Sequence, residues 1–215
     1  LTHSLNEIGG LCKRAARGAG FGWGLAEEAA NGARWLSAFG LPGPRLLAER
    51  LERFDATSAA AQTPVSFASP WRGSDDQLCP IIVGATLSDR SARFAADRRL
   101  EIRQVFYPLL CSPFAADVAL SLGHPVRMDW NGLRLTTDGQ RLVIEGVREQ
   151  VDAAACDPLR CSLVTGALPV HADAPRIRGQ VDSDTWSRLW ALAERVNAPA
   201  TEASRRLGAG GGDDG

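Results

Sequence analysis

The chain has 215 residues, with 24 Lys and Arg against 25 Asp and Glu and a formal net charge of −1. A charge so near zero excludes partners held by bulk electrostatics, so neither nucleic acid nor a membrane surface is expected. Hydrophobic residues make up 45%, and a chain of this length can bury a sizeable core in one domain or two small ones.

Ser4-Leu5-Asn6-Glu7 is a capping box, with serine at the N-cap and glutamate three residues on. Leu5, Ile8, Leu11, Cys12 and Ala15 continue as one helical face. Gly9-Gly10 weakens this helix by about 1 kcal/mol per glycine relative to alanine, so tertiary packing must hold it. Gly18, Gly20, Gly22 and Gly24 then alternate with Ala19, Phe21 and Trp23. The plain reading is a helix C-cap and a tight turn. The functional reading is an anion site, because Lys13, Arg14 and Arg17 precede the turn and free N–H groups open the next helix. No Walker pattern is present, and the spacing does not match a dinucleotide fingerprint.

The second helix carries a small-residue stripe, Ala26, Ala29, Ala30 and Ala33, suited to close packing. Glu27 and Glu28 sit in its first turns, where the helix dipole favours negative charge. Read functionally, either is a general base or a metal ligand, although no histidine lies nearby. Glu27 and Arg34, seven apart, can share a face. Trp35, Leu36 and Phe39 close the helix, and Gly40 and Pro42 stop it. A third helix starts at Pro44, with Leu47, Leu51 and Phe54 buried and Arg45, Glu49, Arg50, Glu52 and Arg53 solvated.

Residues 55–77 read as a loop that docks through Phe67 and Trp71. The apolar run Leu78 to Leu87 reads as a buried strand, with Pro80 at an edge or bulge. Ser88-Asp89-Arg90 follows, as a simple turn or as polar groups placed at a strand end for a site. Leu100 to Tyr107 reads as a strand, and Ser112-Pro113 opens a helix to Gly123. Residues 125–147 predict a three-stranded antiparallel meander with turns at Asn131-Gly132 and Asp138-Gly139, Arg127, Asp129, Arg134 and Glu145 facing solvent. Arg160 to Val164 suggests another strand. A proline-rich loop, 166–180, holds His171. Asp182-Ser183-Asp184 caps a helix expected to bury Trp186, Leu189, Trp190 and Leu192. Pro199 begins a short helix over 200–206. The glycine-rich end, 208–215, is expected to be disordered, or else to close over a pocket with Ser204 and Arg205 at its hinge.

Five cysteines, Cys12, Cys79, Cys111, Cys156 and Cys161, are an odd number without a C-x-x-C pair. This argues against a disulfide framework or a zinc ribbon and for a reducing cytoplasm. His3, His124 and His171 are scattered, so neither a metal site nor a Ser-His-Asp triad is assigned. No signal peptide and no membrane span are expected. Leu1 at the start would follow from processing, an alternative start codon or truncation.

Three segments together carry a resemblance: Arg14 to Leu36 with Gly40-Leu41-Pro42-Gly43, Leu78 to Arg90, and Pro199 to Gly210. They resemble a full-length family of uncharacterised bacterial proteins, a domain of unknown function. The resemblance implies a single unit of bacterial origin. It brings no activity, cofactor or catalytic residue.

The expected fold is α+β: an N-terminal helical subdomain packed on a mostly antiparallel sheet with a three-stranded meander and C-terminal helices. One domain would span 1–207, with a helical part at 4–55, a loop at 56–77 and a sheet-containing part at 78–207. The expected function is binding or transforming a small anionic metabolite. Arg17, Trp23, Arg90, Ser204 and Arg205 would bind it, and Glu27, Glu28 or Asp89 would serve as acid or base. The cofactor stays open. The alternative, resting on six tryptophans and the alanine stripe, is a non-catalytic subunit or assembly protein with a protein partner or self-association.

Overall fold

The computed structural model describes residues 1–54, 59–74 and 77–197. The segment beyond 197, with Ser204, Arg205 and the glycine-rich end, lies outside the described residues.

A short strand β1 (Thr2–Ser4) leads into α1 (Leu5–Gly18). The capping box forms as expected: Ser4 Oγ accepts from the Glu7 N–H at 3.2 Å, and Glu7 returns the bond to the Ser4 N–H at 2.7 Å. The glycine-studded stretch is a turn at Ala19 to Gly22, with Gly20 at φ 101°. It leads into α2 (Trp23–Ala38), whose stripe Ala26, Ala29, Ala30 and Ala33 is fully buried, and α2 packs on α1. At Gly18 an added Cβ would meet the Leu192 carbonyl oxygen at 1.8 Å. That residue belongs to α7 (Ser183–Glu194), which Asp182 caps by accepting from the Thr185 N–H at 2.8 Å. Before α7, strand β9 (Arg178–Gln180) pairs antiparallel with β1.

Helix α3 (Gly43–Glu52) packs against α1, α2 and α7 on one side and the 3₁₀ turn Pro108–Cys111 on the other. Burial on two sides changes one expectation. Arg50 is 1% exposed rather than solvated. Its guanidinium lies over Phe54 and Phe106, 5.2 and 5.5 Å from the ring centroids, and donates to Gln62 Oε1. A weakly hydrated, planar cation tolerates such stacking where an ammonium would not.

The run expected to be a buried strand is instead a helix, α4 (Pro80–Asp89). Pro80 supplies the first-turn residue, where its missing N–H costs nothing. The helix buries Pro80, Ile81, Val83, Gly84 and Leu87 against α2, α6 and the 3₁₀ turn, and because half-buried Ile82 and Ala85 are apolar too, the sequence shows no period to separate helix from strand. Gly84 lets it touch the Phe114 ring, which an added Cβ would meet at 2.1 Å. Helix α5 (Ser91–Asp97) follows, then β2 (Arg99–Ile102) and β3 (Val105–Phe106). The expected single strand over 100–107 is broken at Gln104, which has φ 48°.

Helix α6 (Ser112–Leu122) ends at Gly123 in the left-handed region, as expected of glycine there. The meander is β4 (Val126–Trp130), β5 (Leu133–Thr137) and β6 (Leu142–Gly146). Asn131 and Gly132, at φ 45° and 81°, make its first turn. Strand β7 (Ala155–Cys156) pairs with β3, and β8 (Leu159–Leu163) inserts between β2 and β4. The result is a five-stranded antiparallel sheet of order β2-β8-β4-β5-β6. The α+β expectation holds, with the meander as one half of the sheet.

One face of the sheet is apolar. Leu100, Cys161, Met128 and Leu135 are buried in a single cross-strand row, and α5 and α6 cover that face. Trp71 docks as expected, 3% exposed, while Phe67 stays 41% exposed. Trp190, expected on the buried side of α7, is 45% exposed, because the buried stripe runs through Thr185, Leu189, Leu192 and Ala193. No helix among the described residues is long and apolar enough to cross a membrane.

Candidate functional site

The uncovered face of the sheet carries its polar residues in rows, because side chains two apart on a strand point the same way. The register places Glu101, Arg160, Asp129, Arg134 and Glu145 in one row across all five strands. Its charges alternate in sign. Arg160 pairs with Glu101 at 3.3 Å and Arg134 with Asp129 at 2.9 Å. The neighbouring row, two residues along, is different: Arg99 stands beside Ser162, and Ser162 beside Arg127. Thr136 continues that row on β5. It contains two guanidiniums, two hydroxyls and no carboxylate.

Among the described residues, Arg99 and Arg127 form no ion pair. Arg127 Nε is buried and has no hydrogen-bond partner among the described residues. Buried donors are seldom left unpaired, and each exception calls for a cause. Arg99, Ser162 and Arg127 lie in an open cleft of about 730 Å³, lined also by Arg98, Glu101, Asp129, Arg160 and Thr165. Both carboxylates there are already engaged, so Arg98, Arg99 and Arg127 are left uncompensated. Strands about 4.8 Å apart put the β2 and β4 arginines about 10 Å apart at their Cα atoms, with Ser162 between them. Two long side chains on that spacing can converge on one phosphate or carboxylate above the serine hydroxyl. Beyond the alternating row, a second hollow of about 500 Å³ is lined by Asp129, Glu145 and Asp157 with Arg134 and Arg160. Carboxylates outnumber guanidiniums there, so it does not favour an anion.

Arg90 approaches this cleft from the side. It caps α4 and stacks on Phe67, its guanidinium carbon 3.4 Å from the ring centroid. Its recess, with Trp71 and Arg93, shares Ser69, Arg99 and Leu100 with the sheet cleft. Arg17 and Trp23 lie elsewhere. Arg17 donates to the Phe21 carbonyl and stacks on Trp23 at 4.5 Å. Glu27 is paired with Lys13 rather than with Arg34.

Glu28 and Asp89 are brought together, joined by Asp117 of α6, which the sequence reading missed. Burial first, then the charges of Asp117, Asp89 and Glu27, hold the Glu28 carboxyl above its ordinary range; burial alone raises Asp117. Glu28 and Asp117 line a cleft of about 320 Å³ with Asn31, Arg34 and Trp35. Perturbed carboxyls in a cleft are a recognised mark of functional groups and also of packing under repulsion. Among the described residues no group of three His, Cys, Asp or Glu side chains is placed to hold a metal ion.

The fold and its sheet face define an α+β protein with an uncompensated arginine row on an open antiparallel sheet. Residues 3–73 match a family described as protein of unknown function (DUF3726). The matched span holds α1, α2, α3 and Trp71, so the resemblance read from Arg14 to Gly43 is supported. The segment 78–90, the chain end and all five strands of the sheet lie outside it. No curated protein matches the chain.

Proposed function

We propose that the protein binds a small anionic metabolite, one carrying a phosphate or carboxylate group, over the Arg99–Ser162–Arg127 row. The observation that carries this reading is the imbalance of that row beside a fully alternating neighbour. On a solvated sheet face without a ligand, charges directly opposite one another gain from alternation and lose from repetition. Here alternation is kept in one row and abandoned in the next, where a buried guanidinium nitrogen also lacks a partner among the described residues.

Arg99 and Arg127 supply bidentate donors, Ser162 a hydroxyl, and Arg98 and Arg90 positive potential at the rim. The reading is of binding rather than of reaction. Cys161 is on the covered face, with its thiol pushed up to about 12 by burial, so it does not serve as a nucleophile. All five cysteines are free and buried, which is consistent with work in a reducing cytoplasm.

Native mass spectrometry of the gently purified chain tests this reading. The expected result is an adduct of metabolite mass, lost on denaturation and absent from the Arg99→Met/Arg127→Met variant. A bare chain, or an adduct that the variant retains, contradicts it.

A further inference from the structure

A second feature, far along the chain from the sheet row, involves two tryptophans that folding leaves in solvent. Trp23 at the start of α2 is 67% exposed, and Trp190 on α7 is 45% exposed. Each is overlain by an arginine from α1: Arg17 lies 4.5 Å from the Trp23 centroid, and Arg14 lies 5.1 Å from that of Trp190. Arg14 and Arg17 are three apart on one helix and so share a face. Helix α1 packs against both α2 and α7, so the two pairs flank one face of α1 as a ridge of rings and guanidiniums.

The ridge is cationic as well as aromatic. Neither Arg14 nor Arg17 has a carboxylate partner among the described residues, and Arg17 Nε is buried without one. Of the nearby carboxylates, Glu27 pairs with Lys13 and Glu194 accepts from Trp190 Nε1 at 3.1 Å, and neither is paired with Arg14 or Arg17. The close approach at Gly18 adds Arg195, whose Cβ lies within 3.4 Å of the built Cβ there, and with it the exposed Val196.

We infer that this ridge is a docking surface for an acidic segment of a partner protein, in which Asp or Glu side chains alternate with apolar ones. Charge complementarity selects that occupant. Tryptophan and arginine are the residues most enriched at the energetic centres of interfaces. Arg14 over Trp190 keeps its N–H donors for a carboxylate, while Arg17 over Trp23 already gives one Nη donor to the Phe21 carbonyl and offers those that remain. A second copy presenting the same ridge would oppose cation to cation. A nucleic acid strand needs an extended run of positive potential, which a chain of net charge −1 does not supply, and each ring already has one face covered by its own arginine. This inference is independent of the anion site on the sheet and uses none of its residues.

Fluorescence anisotropy with a labelled peptide of Glu-Leu-Asp-Phe repeats tests it, with a Gln-Leu-Asn-Phe peptide and oligothymidylate as comparisons. The expected result is saturable binding of the acidic peptide. It should weaken at least tenfold in the neutral peptide, in the Arg14→Met/Arg17→Met variant and in Trp23→Ser, with the fold of each variant checked by circular dichroism. Four outcomes overturn it: no saturable binding, equal binding of the neutral peptide, tighter binding of oligothymidylate, or concentration-dependent self-association that the same substitutions abolish. The neutral-peptide comparison uses the unaltered chain, so it decides the matter even if a variant is unstable.

Discussion

Arg99 and Arg127 stand on strands β2 and β4 with Ser162 of β8 directly between them. Nothing local in the chain joins the three, and no carboxylate shares their row. Their juxtaposition follows from the insertion of β8 between two strands that precede it.

If the row binds anions, it also repels itself when empty. Replacing Arg127 with Met should then leave the melting temperature unchanged or raise it slightly, since a like charge is removed and a buried unpaired nitrogen disappears. Replacing Arg134 in the alternating row should lower stability by about 0.2–1 kcal/mol, the range for exposed cross-strand ion pairs. Thermal melts of the two variants make the comparison.

The carboxyl groups of Glu28 and Asp117 carry a definite pH signature. Both are raised in the folded chain, so the folded state holds their protons more tightly than the unfolded state does. Stability from this source is greatest below the unfolded value and falls as pH rises through the raised one. Glu28→Gln should therefore raise the melting temperature near pH 7.5 and confer no advantage near pH 4. Asp157 and Asp182 run the other way: the Arg103 guanidinium and the Thr185 N–H respectively hold them low, and their contribution is lost as pH falls through the depressed values. Melting curves of the Glu28→Gln and unaltered chains across that range provide the check.

Glycines that look alike in the sequence should behave oppositely. Gly18→Ala drives a Cβ into the Leu192 carbonyl, and Gly84→Ala into the Phe114 ring. Each should cost about 1–3 kcal/mol through forced separation of packed helices. Gly10, in the same helix as Gly18, has nothing within 4 Å of an added Cβ. Gly10→Ala should stabilise by about 0.5–1 kcal/mol. Chemical denaturation of the three variants distinguishes them.

Arg50→Ala removes a buried side chain from between Phe54 and Phe106 and leaves Gln62 without its guanidinium. The expected loss is about 2–4 kcal/mol, comparable to large-to-small changes in a core. Urea unfolding measures it.

What was legible in the sequence was local. The Ser4–Glu7 capping box, the Asn131-Gly132 hairpin, the Gly123 helix end and the Asp182 cap are each set by residues within a few positions of one another, and each forms as read. What was not legible depended on neighbours far along the chain. Pro80 to Leu87 is apolar in sequence almost throughout, which hides the helical period, although only Pro80, Ile81, Val83, Gly84 and Leu87 are buried. Arg50 is inside because α3 is covered from two directions. The candidate site shows the same division. Glu28, Asp89 and Arg90 stood out as polar groups at element ends, whereas Asp117 and the Arg99–Ser162–Arg127 row emerged only from helix packing and strand register.

Isothermal titration with pyrophosphate and with citrate, on the unaltered chain and on the Arg99→Met, Arg127→Met and Arg134→Met variants, tests the central claim most directly. A charge-assisted hydrogen bond contributes about 1.5–3 kcal/mol, which corresponds to about a tenfold to hundredfold change in affinity. The predicted result is saturable binding of at least one probe, weakened by that factor in the Arg99 and Arg127 variants and unaltered in Arg134→Met. Absence of binding to the unaltered chain, or equal losses in all three variants, would contradict the assignment of the row as an anion site.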